Sequence, residues 1–431
     1  MTALQTDLYQ LTMASGYFAE SKTADRAVFE LFIRRLPEQR EYLIAAGLPQ
    51  AVEYLLDLHF TEDQIQYLQS LAQFRNALPG FWDYLREFRF TGDLFAMREG
   101  TPFFAGEPIV TVRAPIIEAQ LVETYLLGML GFQSLIAAKA SRVVAAAEGR
   151  AVVEFGTRRA HGPEAGRLAG RAAFIAGCAG TSNVEAGHRF HIPVFGTSAH
   201  SWVLAFEEET ESFRALQKLL GDGTVYLIDS YDTLEGARRA VSLGPPMWGV
   251  RLDSGDLVSL SKQVRQILDE AGFPNAKIMA TSDLNEYRIR ELLTAGAPID
   301  VFGVGTELAT SADAPAVSAV YKLVELEANG EKRYIAKYSP EKQTLPGAKQ
   351  VFRFASKDVV GCSSECMESS AEALLRPVII GGQLIEPLPS ATEARDHCRE
   401  ALARIQPASH AIEYSSRLLD LAEQHNRKFA Q

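Results

Sequence analysis

Between residues 149 and 307 the chain repeats one pattern: a short apolar run, a polar turn carrying glycine, a hydroxyl or a carboxylate, and then a stretch with apolar positions three and four apart. AVVEFG leads to Thr157-Arg158-Arg159, and VFG to Thr197-Ser198-Ala199-His200. VYLI leads to Asp229-Ser230-Tyr231-Asp232, WGVRL to Asp253-Ser254-Gly255-Asp256, KIMA to Thr281-Ser282-Asp283, and IDVFGV to Gly305-Thr306-Glu307. Residues 257 to 271 and 284 to 295 have the spacing of amphipathic cover helices. Apolar strands alternating with such helices predict a parallel sheet. Polar motifs after every strand predict an α/β fold with a (β/α) barrel and a site on its C-terminal rim. An open doubly wound sheet is the alternative, but it would gather its ligand motifs at one switch point.

Outside that region the pattern changes. Thr6 or Asp7 is placed to cap a helix containing Leu8, Leu11 and Met13. A strand is expected over 27 to 36, helices from 48 to 87, short strands around 90 to 113, and two helices over 117 to 130 and 133 to 148. After about Ala309 strand-like segments return (AVYKLVEL, KRYIAKYS, QVFRFA), followed by a loop rich in Lys and Pro and a helical tail. The reading is an N-terminal α+β sandwich-like domain over 1–115, a catalytic barrel over 116–318, and a C-terminal segment, 319–431, that rejoins the first domain.

Composition narrows the partners. The chain has 43 Lys and Arg against 54 Asp and Glu, a formal net charge of −11, which argues against a general nucleic-acid or anionic-membrane surface. Four cysteines in 431 residues do not make a disulfide framework. Neither a signal peptide nor a membrane span is read from the sequence, so a cytoplasmic enzyme with reduced thiols is expected. Cys362, Cys366, His397 and Cys398 lack the spacing of a zinc site, and no bound metal or organic prosthetic group is expected from them.

The polar turns carry the chemistry. In HIPVFGTSAHSW, residues 191 to 202, Thr197 and Ser198 can bind phosphate or carboxylate, and His200 is either a hydrogen-bonded structural histidine or a group facing an anion. Arg158 and Arg159 beside Gly156-Thr157 offer two guanidinium forks suited to phosphate or carboxylate, with His161 a further candidate donor. Asp229, Asp253 and Asp256 either hold sugar hydroxyls and Mg2+ or cap the helices that follow. Asp256 is placed as a cap, whereas Asp253, beside Arg251 and Ser254, reads as a site residue. Gly303-Val304-Gly305-Thr306 is a glycine-paired turn suited to cradling phosphate with main-chain amides.

These motifs resemble the nicotinate phosphoribosyltransferases. The resemblance is carried by TDLYQLTMASGY at 6 to 17, FELFIRRLP at 29 to 37, EFGTRRAHGPEAG at 154 to 166, GTSNVEAG at 180 to 187, FGTSAHSW at 195 to 202, GVRLDSGDL at 249 to 257, FGVGTEL at 302 to 308 and YSPEKQTLPGAKQVFR at 338 to 353. It implies an incomplete barrel plus a sandwich-like domain made of both chain ends. It also implies a cytoplasmic ATP-dependent ligase that joins nicotinate to 5-phosphoribosyl 1-pyrophosphate, with Mg2+ and with ATP hydrolysed as co-substrate. By resemblance His200 is the histidine that becomes phosphorylated, and Phe155 and Tyr9 sandwich the pyridine ring, Tyr9 reaching across a homodimer. Arg158 binds phosphate, Thr197 and Arg251 bind nicotinate, and Gly303, Gly305 and Thr306 form the phosphoribosyl phosphate turn. Asp253 and Asp229 are taken as catalytic carboxylates, with Ser254 at the substrate. The relative that uses nicotinamide has an acidic residue at the position of Asn183, whose neutral amide favours nicotinate.

Other readings remain open at this stage. The same fold serves nicotinamide or quinolinate transfer, although a quinolinate enzyme has no use for His200 as a phosphoryl acceptor. A sugar-phosphate lyase or isomerase would need a lysine or a base at a strand end, which these motifs do not offer. A protein that binds phosphoribosyl pyrophosphate without turnover is the last alternative.

Overall fold

A computed structural model describes residues 2–339, 342–367 and 370–429. Pro340 and Glu341 of the 338-to-353 motif lie outside the described residues. The chain divides into two compact units, residues 1–135 with 316–431 and residues 136–315.

The first unit is built on an antiparallel sheet of seven strands in the order Glu331–Tyr334, Ala319–Ala328, Arg26–Ile33, Pro108–Pro115, Asp93–Met97, Leu375–Ile380 and Gln383–Leu384. Three strands of the N-terminal part thus lie side by side at its centre, flanked on each edge by two from the C-terminal part, which makes this an α+β unit of both termini. Phe29 and Tyr321, on paired strands, stack at 4.9 Å and are buried, as cross-strand aromatics do on a core face. A second sheet, of four strands (Glu372–Ala373, Lys349–Arg353, Lys357–Cys362, Ala411–Tyr414), is fastened to the first at Glu30. The Glu30 carboxylate accepts the Lys349 amide at 2.6 Å and pairs with its ammonium at 2.8 Å, with both side chains buried. Asp7 does take the N-cap position of the helix Leu8–Ala19, but its carboxylate accepts the Thr124 hydroxyl at 2.9 Å instead of capping.

The two helices expected over 117 to 148 are divided differently: a short one, Ile116–Leu121, and one of 24 residues, Glu123–Ala146. Gly131 does not break the latter. A side-chain carbon there would meet Val317 at 3.5 Å, an ordinary contact. Among the described residues no helix is long and apolar enough to cross a membrane.

In the second unit six parallel strands follow in the order Gly180–Thr181, Ala151–Glu154, Val301–Val304, Lys277–Ala280, Gly249–Leu252 and Val225–Leu227. A single parallel bridge from Thr181 to Val194 adds a seventh position. The last strand in sequence pairs with the first, as in a barrel, and the seam stays open between Val194 and Val225, so the barrel is incomplete. The strand interiors are buried, as parallel strands covered by helices must be. Two expectations change here. The VFG run forms one bridge and no strand, because Pro193 has no amide to donate, while the short Gly180–Thr181 strand carries no apolar run that would reveal it.

Candidate active site

The turn after the strand Ala151–Glu154 is held from below. Glu154 is buried, and its carboxylate accepts the Gly156 amide and, at 2.5 Å, the Thr181 hydroxyl. Burial pushes its carboxyl above the usual carboxylate range; those two hydrogen bonds only partly offset it. Phe155 donates its amide to Val304 at 2.8 Å, which fixes the start of the turn against the last strand. Two glycines permit this packing. A Cβ on Gly303 would lie 2.7 Å from both the Phe155 ring and the Thr281 methyl, and one on Gly156 would lie 2.3 Å from Ala309. The phenyl ring therefore rests on the bare backbone of Gly303, and the EFGTRR turn rests on the GVGTELA turn.

These turns enclose a cavity of about 710 Å3. Its wall includes eleven residues singled out from the sequence: Phe155, Arg158, Arg159, Thr197, Ser198, His200, Arg251, Asp253, Gly303, Gly305 and Thr306. Ser282 also lines it. Arg158 and Arg159 sit on a single 3-10 turn, exposed toward the cavity. His161 is exposed and does not line it.

Arg251, on the strand Gly249–Leu252, organises the opposite side. Its guanidinium donates to the Thr197 hydroxyl at 2.7 Å, the Ser198 carbonyl at 3.1 Å, the Thr281 hydroxyl at 3.0 Å and Asp253 at 3.0 Å. Asp253 also accepts the Thr281 hydroxyl. Partial burial works against the charge on Asp253, but Thr281 and Arg251 outweigh it and hold the carboxyl below its usual range. Asp253 is thus an anion whose proton affinity is low.

His200 opens the short helix His200–Leu204. Its Nδ1 lies 3.1 Å from the Ser230 hydroxyl, and its Nε2 lies 3.5 Å from Asp253 and 3.9 Å from Asp229. The ring is thereby oriented between a hydroxyl and two carboxylates, and 39% of the side chain stays exposed. Asp229 stands behind the wall and braces it, its Oδ2 accepting the Asp253 amide at 2.8 Å and the Ser254 hydroxyl at 2.6 Å. Its Oδ1, together with the Thr157 and Ser198 hydroxyls, is buried and carries no hydrogen bond. Such oxygens are costly unless something meets them, and here Thr157 and Ser198 line the polar cavity with Asp229 directly behind it.

Asp229, Ser254, Asn183, Tyr9 and Asp256, like His161, are not in the cavity wall. Asp229 and Ser254 act on it from behind. Asn183 is buried, and its amide oxygen caps the helix Val184–Phe190 by accepting the Ala186 amide at 2.7 Å, so only its NH2 is left to donate. Tyr9 belongs to the other unit, on the helix Leu8–Ala19, and is 49% exposed. Asp256 caps the helix Leu257–Glu270, as its position suggested. Glu154, Thr181, Ser230 and Thr281 were not singled out as site residues. Thr281 and Ser230 did appear in the polar turns, whereas Glu154 read as an ordinary strand end.

Comparison with known proteins places this cavity in context. The chain matches the family model for the nicotinate phosphoribosyltransferase (NAPRTase) N-terminal domain over residues 4–131 and that for the nicotinate phosphoribosyltransferase (NAPRTase) family over 151–351. It is 44% identical over 422 residues to a nicotinate phosphoribosyltransferase of Mycobacterium tuberculosis, covering 95% of this chain and 89% of that protein. It is 46% identical over 364 residues to that of Bacillus subtilis, covering 82% and 74%. The crystal structure of human nicotinic acid phosphoribosyltransferase superposes with a TM-score of 0.86 at 27% identity, over 97% of this chain and 99% of that one.

Proposed function

This chain belongs to the nicotinate phosphoribosyltransferase family, and from that premise we propose which residues carry the family's reaction and what drives it. The enzyme acts in NAD biosynthesis, joining nicotinate to 5-phosphoribosyl 1-pyrophosphate. The pyridine nitrogen bonds to the anomeric carbon as the bond from that carbon to the pyrophosphate oxygen breaks, and the electron pair leaves with pyrophosphate.

In our reading, Phe155 fixes one face of the pyridine ring, and Tyr9 of a second copy covers the other face in a homodimer. The nicotinate carboxylate meets Arg251 and Thr197, while the NH2 of Asn183, whose oxygen is already used, favours an acid over an amide from one residue behind. The main-chain amides of Gly303 to Thr306 take the ribose phosphate. Arg158 and Arg159 face the departing diphosphate, where preset cations stabilise the charge that develops. Asp253 faces the sugar and stabilises its cationic character as the bond breaks, with Asp229 and Ser254 bracing it from behind.

The donor set also suits Mg2+. Asp229 Oδ1 is buried without a hydrogen bond and lies with Asp253 around the same histidine, and a hard cation prefers one or two carboxylates plus phosphate oxygens. Asp229 and Asp253 would hold the ion, which would neutralise part of the diphosphate charge. Asp253, kept ionised, is suited to that at any physiological pH.

The observation that carries the ATP-dependent reading is the setting of His200, oriented by Ser230, Asp229 and Asp253 and open to the cavity on its free face. A neutral imidazole attacks the γ-phosphorus of ATP, the bond to the β,γ-bridging oxygen breaks, and ADP leaves; water later takes the phosphoryl group. This makes the enzyme an ATP-dependent ligase with a phosphohistidine intermediate. Its proposed location is the cytoplasm.

The test is product formation from phosphoribosyl pyrophosphate with nicotinate or nicotinamide, each with and without Mg-ATP. Nicotinate turnover stimulated by ATP is expected, and His200→Ala should abolish ATP hydrolysis while sparing some pyridine transfer. ATP hydrolysis at the wild-type rate in His200→Ala would remove the carrier role. A preference for nicotinamide would remove the Asn183 argument.

A further inference from the structure

One buried cation in the second unit has no part in the reaction described above. Lys139, within the helix Glu123–Ala146, has a fully buried side chain. Its ammonium lies 2.7 Å from Glu286, 3.0 Å from Asp313 and 3.8 Å from Glu307. One turn on, Arg142 pairs with Glu286 and Asp313, each at 3.1 Å, and donates to the Tyr287 hydroxyl at 2.8 Å. Glu286 is itself fully buried, so its charge depends on these two cations.

The placement of the three carboxylates gives the network its meaning. Glu307 follows Thr306 directly in the short helix that begins with the Gly303 to Thr306 turn. Glu286 opens the helix Glu286–Thr294, three residues after Asp283. Ser282 and Asp283 line the cavity and hold left-handed backbone at φ 85° and 45°, a conformation non-glycine residues keep only when their surroundings impose it. A single ammonium thus fastens two neighbouring rim turns from behind, at a point no ligand reaches.

We infer that Lys139 is a positioning residue for the ribose-phosphate turn, acting through Glu307 and through Glu286 beside the Ser282-Asp283 turn. This rests on the assignment of Gly303 to Thr306 to the ribose phosphate. Charge is what couples the turns. A buried carboxylate next to a fixed ammonium has a defined place, whereas an uncharged side chain at 139 leaves Glu286 and Glu307 to repel each other and to seek water. The network therefore governs binding of phosphoribosyl pyrophosphate more than binding of the pyridine, which rests on Phe155 and Arg251.

The experiment is steady-state kinetics on the full-length enzyme with both substrates varied, alongside thermal melting, for Glu307→Gln, Lys139→Arg and Lys139→Met. Glu307 is partly exposed, so Glu307→Gln keeps the fold and decides the matter alone if Lys139→Met does not yield folded protein. Glu307→Gln should raise the KM for phosphoribosyl pyrophosphate about 5- to 20-fold, short of the roughly hundredfold that an ångström of misplacement costs. The KM for nicotinate and the melting temperature should stay near wild type. Lys139→Met should do the same more strongly, and Lys139→Arg should retain more of the affinity. Equal rises in both KM values, or a lowered melting temperature with the phosphoribosyl pyrophosphate KM unmoved, would overturn the inference. Wild-type enzyme that turns over nicotinate while Glu307→Gln matches it refutes this inference alone; wild-type enzyme with no turnover refutes the functional reading beneath it.

Discussion

Adding one methyl group at Gly303 tests how closely the pyridine platform depends on bare backbone. In Gly303→Ala the new carbon would sit 2.7 Å from Phe155 Cδ2, 2.9 Å from its Cε2 and 2.7 Å from Thr281 Cγ2. Carbon atoms rest at about 3.5–4.0 Å, so something must give by about 1 Å. Thr281 is poorly placed to yield, because its hydroxyl is engaged by Arg251, Asp253 and the Leu252 carbonyl. The Phe155 backbone is tied to Val304, so the displacement falls on the phenyl ring. Overpacking of this kind costs about 1–3 kcal/mol of stability. Aromatic stacking is worth about 0.5–1.5 kcal/mol beyond burial, which converts to a nicotinate KM raised about 2- to 13-fold. The phosphoribosyl pyrophosphate KM should change less. Initial rates with each substrate varied at saturation of the other give both numbers, and a double-mutant cycle with Phe155→Leu separates the ring from the rest of the turn. With the smaller, flexible side chain at 155 the methyl should be tolerated. A Gly303→Ala enzyme with wild-type nicotinate KM, or effects at 155 and 303 that simply add, would refute the reasoning.

Two further outcomes are expected. Tyr9→Ala and Phe155→Ala should each weaken nicotinate binding by a similar factor, and re-associating the two variants should give hybrid dimers more active than the mean of the parents, since one site regains both rings. A mixture no better than that mean would place Tyr9 in its own subunit's site. His397 concerns stability. Burial and the nearby Arg98 push its pKa down to about 4 from 6.5, so between those values the unfolded chain binds the proton more readily, and stability falls as pH drops from about 6.5 to 4. Melting curves of His397→Asn should be flatter across that window than those of the wild type, and parallel curves would exclude the residue as a source of the slope.

The barrel was legible because its strands are buried on both faces and so read as continuous apolar runs, each ending where a polar residue had to face the rim. What stayed hidden was whatever lacked that contrast. Gly180–Thr181 is too short to show a run, and its place in the sheet depends on pairing with Val153 and Glu154 at the end of the first strand. The four-stranded sheet near the C-terminus joins strands far apart in sequence, Lys357–Cys362 with Ala411–Tyr414, and pairing across such a gap leaves no local trace. At the site, residues whose chemistry faces outward (Arg158, His200, Asp253) could be picked out by type and spacing. Glu154 and Lys139 could not, because a charge in an apolar run or an Ala-rich helix shows its purpose only when its partners, distant in sequence, are seen around it.

The open seam of the barrel has a consequence for the chemistry at His200. The segment leading to it has ladder hydrogen bonds on one side, from the Thr181 amide to the Pro193 carbonyl at 3.1 Å and from the Phe195 amide to the Thr181 carbonyl at 2.9 Å, while the Arg251 side chain reaches it at Thr197 and Ser198. On the Val225 side, among the described residues, no strand is paired with it. Under the carrier role proposed for His200, the residue accommodates about two units of negative charge and several new oxygens in each cycle. Mounted in the middle of a closed ladder, every such change would strain hydrogen bonds on both sides. Mounted beside a gap, the loop from Gly196 to Ala199 is tied toward the opening by the Arg251 side chain rather than by a second ladder, so under that proposal the wall can adjust there while the remaining strands keep their register.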